Sequence, residues 1–139
     1  MTNLYMADIP PSAAWEMLQK KDVYLVDVRT NVEWKFIGQP NLDSVNKNII
    51  SLEWRSLPDM QVNPNFAERL MKEIPNKDAH VLFLCRTGGR SAEAATTMTE
   101  LGYKNCYNIT EGFEGELDSN SHRGTANGWK ASNLPWRQA

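Results

Sequence analysis

Apolar residues along this chain fall into short blocks whose period changes from one block to the next. From Pro11 to Lys20, Ala14, Trp15 and Leu18 share one helical face, and Pro11 suits a first helical turn, where its missing N–H goes unneeded. Val23–Val28 (VYLVDV) is instead a continuous apolar, β-branched run, the pattern of a buried strand. Thr30–Gly38 (TNVEWKFIG) has room for one or two helical turns before Gly38 and Pro40 stop them. Asn46–Leu52 (NKNIISL) is a weaker strand candidate ahead of a loop rich in Pro and Asn. Asn63 looks like an N-cap with Pro64 at the first helical position, and Phe66, Leu70 and Ile74 then recur at i, i+4 and i+8. His80–Cys85 (HVLFLC) is the second clear strand. Helical spacing returns at Ala94, Ala95, Met98 and Leu101, ended by Gly102 as a C′ residue, and Cys106–Ile109 (CYNI) reads as a further short strand. Strands and helices alternate, which predicts an α/β fold with a mostly parallel sheet and right-handed crossovers.

Composition narrows the setting. A length of 139 residues with 41% hydrophobic and 23% charged positions predicts one globular domain, 1–139, whose core needs no crosslinks. The net charge of −2 is wrong for gripping a phosphate backbone, so nucleic acid is not an expected partner. No apolar run approaches a membrane span, and the opening MTNLYMADIPPSAAW lacks the basic and apolar regions of a signal peptide. Two cysteines, Cys85 and Cys106, without an export signal point to free thiols in a reducing compartment, and thus to the cytoplasm. His80 and His122 are far apart and lack partners at metal-ligand spacing, so no metal site is expected.

The chemistry concentrates where the second strand ends, at Cys85-Arg86-Thr87-Gly88-Gly89-Arg90-Ser91. In open parallel sheets, ligands bind beyond the carboxyl ends of the strands. Successive amides in a Gly-containing turn leading into a helix can converge on an anion, and the helix dipole adds positive potential there. Gly88 and Gly89 would supply the dihedrals such a turn demands. A thiol at its centre should ionise more readily than at the reference pKa of about 8.5. Arg86 and Arg90 add two permanent charges able to hold an oxyanion. A cysteine closing an apolar strand is ordinarily core filler, but filler needs neither the glycine pair nor the arginines.

These residues carry a resemblance. CRTGGRS resembles the active-site loop of the rhodanese (thiosulfate sulfurtransferase-like) family, in which Cys, four residues and Arg encircle the nucleophile. LVDVRTNVEWKFIG (Leu25–Gly38), GYKNCYNITEGFEG (Gly102–Gly115) and GWKASNLPW (Gly128–Trp136) are similar to other family segments in the same order. The resemblance implies a three-layer α/β fold with about five mostly parallel strands and helices on both faces. It implies that Cys85 takes a sulfane sulfur from an anionic donor such as thiosulfate and passes it, as a persulfide, to cyanide, a thiol or a protein acceptor. No metal or organic cofactor is needed. By the same token Arg86 would hold the donor's sulfonate, with Thr87, Gly88, Gly89, Arg90 and Ser91 lining the site. Arg90 is left to line the pocket or to fix the loop through a carboxylate, with Asp27 a candidate brace. Asp27, Arg29 and Glu33 are expected to form structural ion pairs, and Cys106 to pack in the core.

Two features depart from the family pattern. Gly38 is followed by Gln39-Pro40-Asn41 where His-Ile is common, so this turn should be built differently. A polar stretch around 114–127 (its centre ELDSNSHRGTA) reads as a loop insertion. The rival enzyme class, thiol-based phosphatases and arsenate reductases, generally places five residues between Cys and Arg, whereas four separate Cys85 from Arg90. The non-enzymatic rival is a rhodanese-like sulfur-carrier or interaction module; interaction modules of this kind typically lose the cysteine.

Overall fold

The apolar runs lie at the centre of a five-stranded parallel sheet in the computed structural model, which describes residues 4–138. In chain order the elements begin with β1 (Ala7–Ile9), α1 (Pro11–Met17), β2 (Val23–Asp27), α2 (Asn31–Phe36), β3 (Gln39–Pro40) and β4 (Ile50–Ser51). There follow β5 (Arg55–Ser56), β6 (Gln61–Val62), α3 (Phe66–Glu73), β7 (His80–Leu84), α4 (Gly89–Glu100), β8 (Asn105–Ile109) and β9 (Trp136–Arg137). The sheet order is β1-β8-β7-β2-β4. Its centre is the pairing of Leu25 with Leu82 and Val26 with Phe83, two β-rich runs that neighbouring strands shield from water.

Each face of the sheet buries its own cluster. Val26, Val81, Phe83 and Cys106 point to the side covered by Phe66 and Leu70 of α3 and Ala94, Ala95 and Met98 of α4. Leu25, Leu82, Leu84 and Ile109 point to the other side, against Ala14 and Leu18 at α1 and against Trp129. This is the α/β architecture with helices on both faces that the sequence predicts. Leu101, expected to face the core with Met98, is 40% exposed, because α4 stops at Glu100 and Gly102 (φ 102°) turns the chain away.

Three expectations about elements shift. The Asn46–Leu52 strand shrinks to Ile50–Ser51, because Asn46 adopts φ 58° and the Lys47 ammonium donates to the Val23 carbonyl on the outer edge of β2. α3 starts at Phe66, since the Asn63 carboxamide accepts from the Asn65 N–H and folds Pro64 into a turn. β1 was not foreseen; its three residues carry no period of their own and are held by pairing with β8. After Gly38, Gln39–Pro40 pairs antiparallel to Trp136–Arg137.

Residues 110–135 form turns without helix or strand. Within them the Glu116 N–H donates to Asn127 Oδ1 at 2.8 Å, and Asp118 accepts from the amides of Asn120 and His122 and the hydroxyl of Thr125. Among the described residues no helix is long and apolar enough to cross a membrane.

Candidate active site

β7 delivers Cys85 to the carboxyl edge of the sheet, and α4 begins four residues later. The turn between them depends on Gly88, whose φ of 116° lies where a side chain would be strained. Gly89, in contrast, is an ordinary first helical residue with open space where a Cβ would sit, so only one of the two expected glycine positions is conformationally special. Cys85 is buried at 1% exposure, while Arg86 and Thr87 are exposed above it.

Two polar groups reach the sulfur. The Gly88 N–H lies 3.0 Å from Cys85 Sγ, and the Ser91 hydroxyl oxygen lies 3.2 Å from it. The expected convergence of many amides on Sγ is therefore narrower: one amide and one hydroxyl. The amides of Gly89, Arg90 and Ser91 belong to the first helical turn and have no intrahelical acceptor, so they remain available beyond the sulfur.

The two arginines of the loop divide their roles. Arg90 is mostly buried and donates from both terminal nitrogens to Glu33, at 2.8 and 3.0 Å. Glu33 is also the N3 residue of a capping box, accepting from the Thr30 N–H and hydroxyl while its own N–H donates to Thr30 Oγ1. Burial opposes ionisation of Glu33, but Arg90 outweighs it and holds this carboxyl below its usual range. Burial likewise works against the Arg90 charge, and Glu33, Cys85 and Asp27 together push its pKa up. The brace of Arg90 is thus Glu33 and not Asp27, which is already engaged. Asp27 takes Arg29 in a fully buried bidentate pair at 2.8 and 3.0 Å, and Arg29 also donates to the Gly38 carbonyl. The Arg86 side chain makes no hydrogen bond or ion pair with any described residue.

A second wall comes from residues that the sequence reading left without a role. The Arg29 guanidinium stacks over Phe113, 4.4 Å from its ring centre, and the Phe113 N–H donates to the Cys85 carbonyl at 2.8 Å. The amides of Glu114 and Gly115 both donate to the Arg86 carbonyl. Such close approach requires Gly112 (φ 64°), where a Cβ would collide with the Cys85 and Arg86 carbonyls. Asn108 of β8 is the other omission: its Oδ1 lies 2.5 Å from Ser91 Oγ. Neither is visible in periodicity, because both act through contacts across the sheet.

Other features lie away from the sulfur. Cys106 is fully buried between the sheet and α4, and burial pushes its thiol up to about 11. Trp54 packs edge-on against Phe66 and donates to Glu93, which also binds Arg55 of the β5–β6 hairpin. A cavity of about 480 Å³ runs along the outer edge of β2 between Asp22, Lys47 and Arg69, and none of residues 85–91 lines it.

Comparison with known proteins adds independent information. The family model described as the STR4 middle domain matches residues 9–139. An uncharacterized protein of Rickettsia conorii is 43% identical over 132 residues, 94% of this chain and 96% of that one. Thiosulfate sulfurtransferase GlpE of Haemophilus influenzae is 30% identical over 108 residues, covering 78% of this chain and 85% of its own. The crystal structure of Rv0390 from M. tuberculosis superposes with a TM-score of 0.87 at 44% identity, over 97% of this chain and 99% of that one.

Proposed function

Because the chain belongs to the rhodanese-like family, we propose that it is a sulfurtransferase, moving a sulfane sulfur from an anionic donor such as thiosulfate to a thiophilic acceptor through a Cys85 persulfide. The observation that carries this reading is a buried sulfur, 3.0 Å from the Gly88 amide, beneath a helix amino terminus with free amides. The Cys85 thiolate attacks the outer sulfur of thiosulfate. A new S–S bond forms at Sγ, the donor's S–S bond breaks, and sulfite leaves with that electron pair. The persulfide anion then extends toward the amides of Gly89, Arg90 and Ser91, which stabilise its charge without reorganisation. Cyanide, a small thiol or a protein thiol takes the outer sulfur and regenerates the thiolate.

Arg86 is the group that binds the donor's sulfonate, since its charge is exposed and uncommitted. Arg90 positions the loop through Glu33, which takes one N–H from each terminal nitrogen, and the four residues between Cys85 and Arg90 support sulfur transfer over phosphatase chemistry. Thr87 and Ser91 complete the lining. In this reading the chain acts as a single domain, 1–139, in the cytoplasm, where a reducing environment keeps Cys85 and Cys106 as thiols.

The test is mass spectrometry of the intact protein. After thiosulfate the wild type should gain one sulfur and lose it again on adding cyanide, while Cys85→Ser should fold normally and gain nothing. Sulfur uptake by Cys85→Ser would remove the mechanism.

A further inference from the structure

Asn108 and Asp8 are register partners on β8 and β1, the latter an edge strand of the sheet. They form a chain of hydrogen bonds leading to the sulfur. Tyr5 donates to Asp8 Oδ1 at 2.7 Å, Asn108 Nδ2 donates to the same oxygen at 3.0 Å, and Asn108 Oδ1 stands 2.5 Å from Ser91 Oγ. Ser91, in turn, lies 3.2 Å from Cys85 Sγ. Tyr5 keeps its proton, because burial and the adjacent Asp8 push its phenol above the ordinary value of 10.0.

The chain has a direction. An ionised carboxylate only accepts, so Asp8 must face the amide nitrogen of Asn108, and Oδ1 must then face Ser91. That oxygen is also acceptor-only, so at 2.5 Å the single hydroxyl proton of Ser91 goes to Asn108. What Ser91 presents to Cys85 is therefore a lone pair, which accepts from a thiol S–H and repels a thiolate. The Gly88 N–H, 3.0 Å from the sulfur, donates to it and favours the thiolate.

We propose that Asn108, oriented by Asp8, is a positioning residue that turns the Ser91 proton away from Cys85 and thereby raises the pH at which the sulfur becomes nucleophilic. The resting thiol is shielded from adventitious electrophiles, and the shield is set from the far edge of the sheet. This inference rests on the sulfurtransferase reading for its use but not for its test. The other charged groups around the sulfur are Arg86 and Arg90 in the loop, and Glu33 from α2 acting through Arg90. Asp27 and Arg29 stand at the end of β2, and Glu111 and Glu114 on the packed turn; all are unchanged in the variants below.

The measurement is the rate of Cys85 alkylation by iodoacetamide, an uncharged reagent, as a function of pH. Asn108→Ala frees the Ser91 proton for the sulfur and should move the profile's midpoint down by about one pH unit, the size of one hydrogen bond to a charged acceptor. Asp8→Asn changes only an exposed side chain, lets the Asn108 amide turn over, and should move the midpoint the same way. In a Ser91→Ala background, Asn108→Ala should produce no shift. An unmoved or raised midpoint in folded Asn108→Ala and in Asp8→Asn, or a shift that persists without Ser91, overturns the inference. If Asn108→Ala fails to fold, Asp8→Asn decides together with its Ser91→Ala double variant, in which the shift should vanish, whereas the loss of the Asp8 charge alone would still show there. A shifted profile in a protein that takes no sulfur from thiosulfate would leave this inference standing and remove the proposed function instead.

Discussion

Of the charged side chains in the sulfur loop, Arg86 is held by nothing else in the described protein, whereas Arg90 is committed to Glu33 on both terminal nitrogens. An uncommitted, exposed guanidinium can reorganise around an arriving sulfonate. Arg86→Ala should accordingly raise KM for thiosulfate about tenfold, as expected for a lost charge-assisted contact, with kcat little changed. Steady-state kinetics with cyanide as acceptor would check this, and an unchanged KM would mean that another group receives the donor. The two thiols show the same contrast between commitment and availability. Burial outweighs the Thr99 hydroxyl beside Cys106 and pushes its thiol up to about 11, so at neutral pH it is a packing group. Cys85 is equally buried but touches an amide and a hydroxyl.

At the scale of elements, a six-residue helix acts as the loop's anchor. α2 is too short to persist by propensity and is fixed by its capping box, of which Glu33 is part. The same carboxylate therefore closes the first turn of α2 and holds Arg90 on α4. Glu33→Gln should cost about 1–2 kcal/mol at neutral pH, since it removes the charge but keeps an acceptor. The folded pKa of Glu33 is lowered, so its contribution is complete above the ordinary value of 4.5 and is lost as pH falls through the folded value. Urea melts of wild type and Glu33→Gln should therefore converge progressively as pH falls below the ordinary 4.5. A gap that stays constant with pH would place the effect in packing.

Elements also explain what could be seen beforehand. Val23–Val28 and His80–Cys85 were legible because a strand buried on both faces must be apolar throughout, and the loop after Cys85 because its chemistry is local in sequence. The Thr30-x-x-Glu33 capping signature was also available in the sequence. β1 and the β3–β9 pair were not, being two or three residues long and held by partners about a hundred positions away. The sequence offers Asp27 as a candidate brace for Arg90 and does not single out Glu33, for the same reason. Asp27 and Glu33 both stand near the sulfur loop, and only packing decides that Arg29 takes the first and leaves the second. Asn108 and Gly112 are the sharpest case, since nothing about a lone Asn or Gly announces what it faces.

At the scale of the whole molecule, the sulfur loop is fastened from two sides: by α2 through Glu33, and by residues 112–115 through the carbonyls of Cys85 and Arg86. The second fastening tolerates no side chain at Gly112, where φ is 64° and a Cβ would strike both carbonyls. Gly112→Ala should lose about 3 kcal/mol, from backbone strain together with displaced hydrogen bonds, and most of its sulfur transfer. Gly89→Ala, with open space at its Cβ, should melt within a degree or two of wild type. Thermal unfolding of the pair measures the difference directly, and equal losses would mean that the 112–115 contact does not hold the loop.

That fastening has a consequence for how chains of this kind can diverge. The segment after Gly115 leaves the loop's support and returns to it at Asn127, where the Glu116 amide and the Asn127 carboxamide close its two ends together. Arg123 and Gly124 also bond back to the carbonyls of Gly115 and Glu114, so the lobe proper is residues 117–122, with Asp118 gathering its interior. Adding or removing residues there changes the closure entropy only slowly and moves neither Gly112 nor Trp129. Descent can therefore write insertions and deletions into the lobe while the sulfur loop keeps its shape, and a reporter peptide spliced into it would ride on the protein without entering its chemistry.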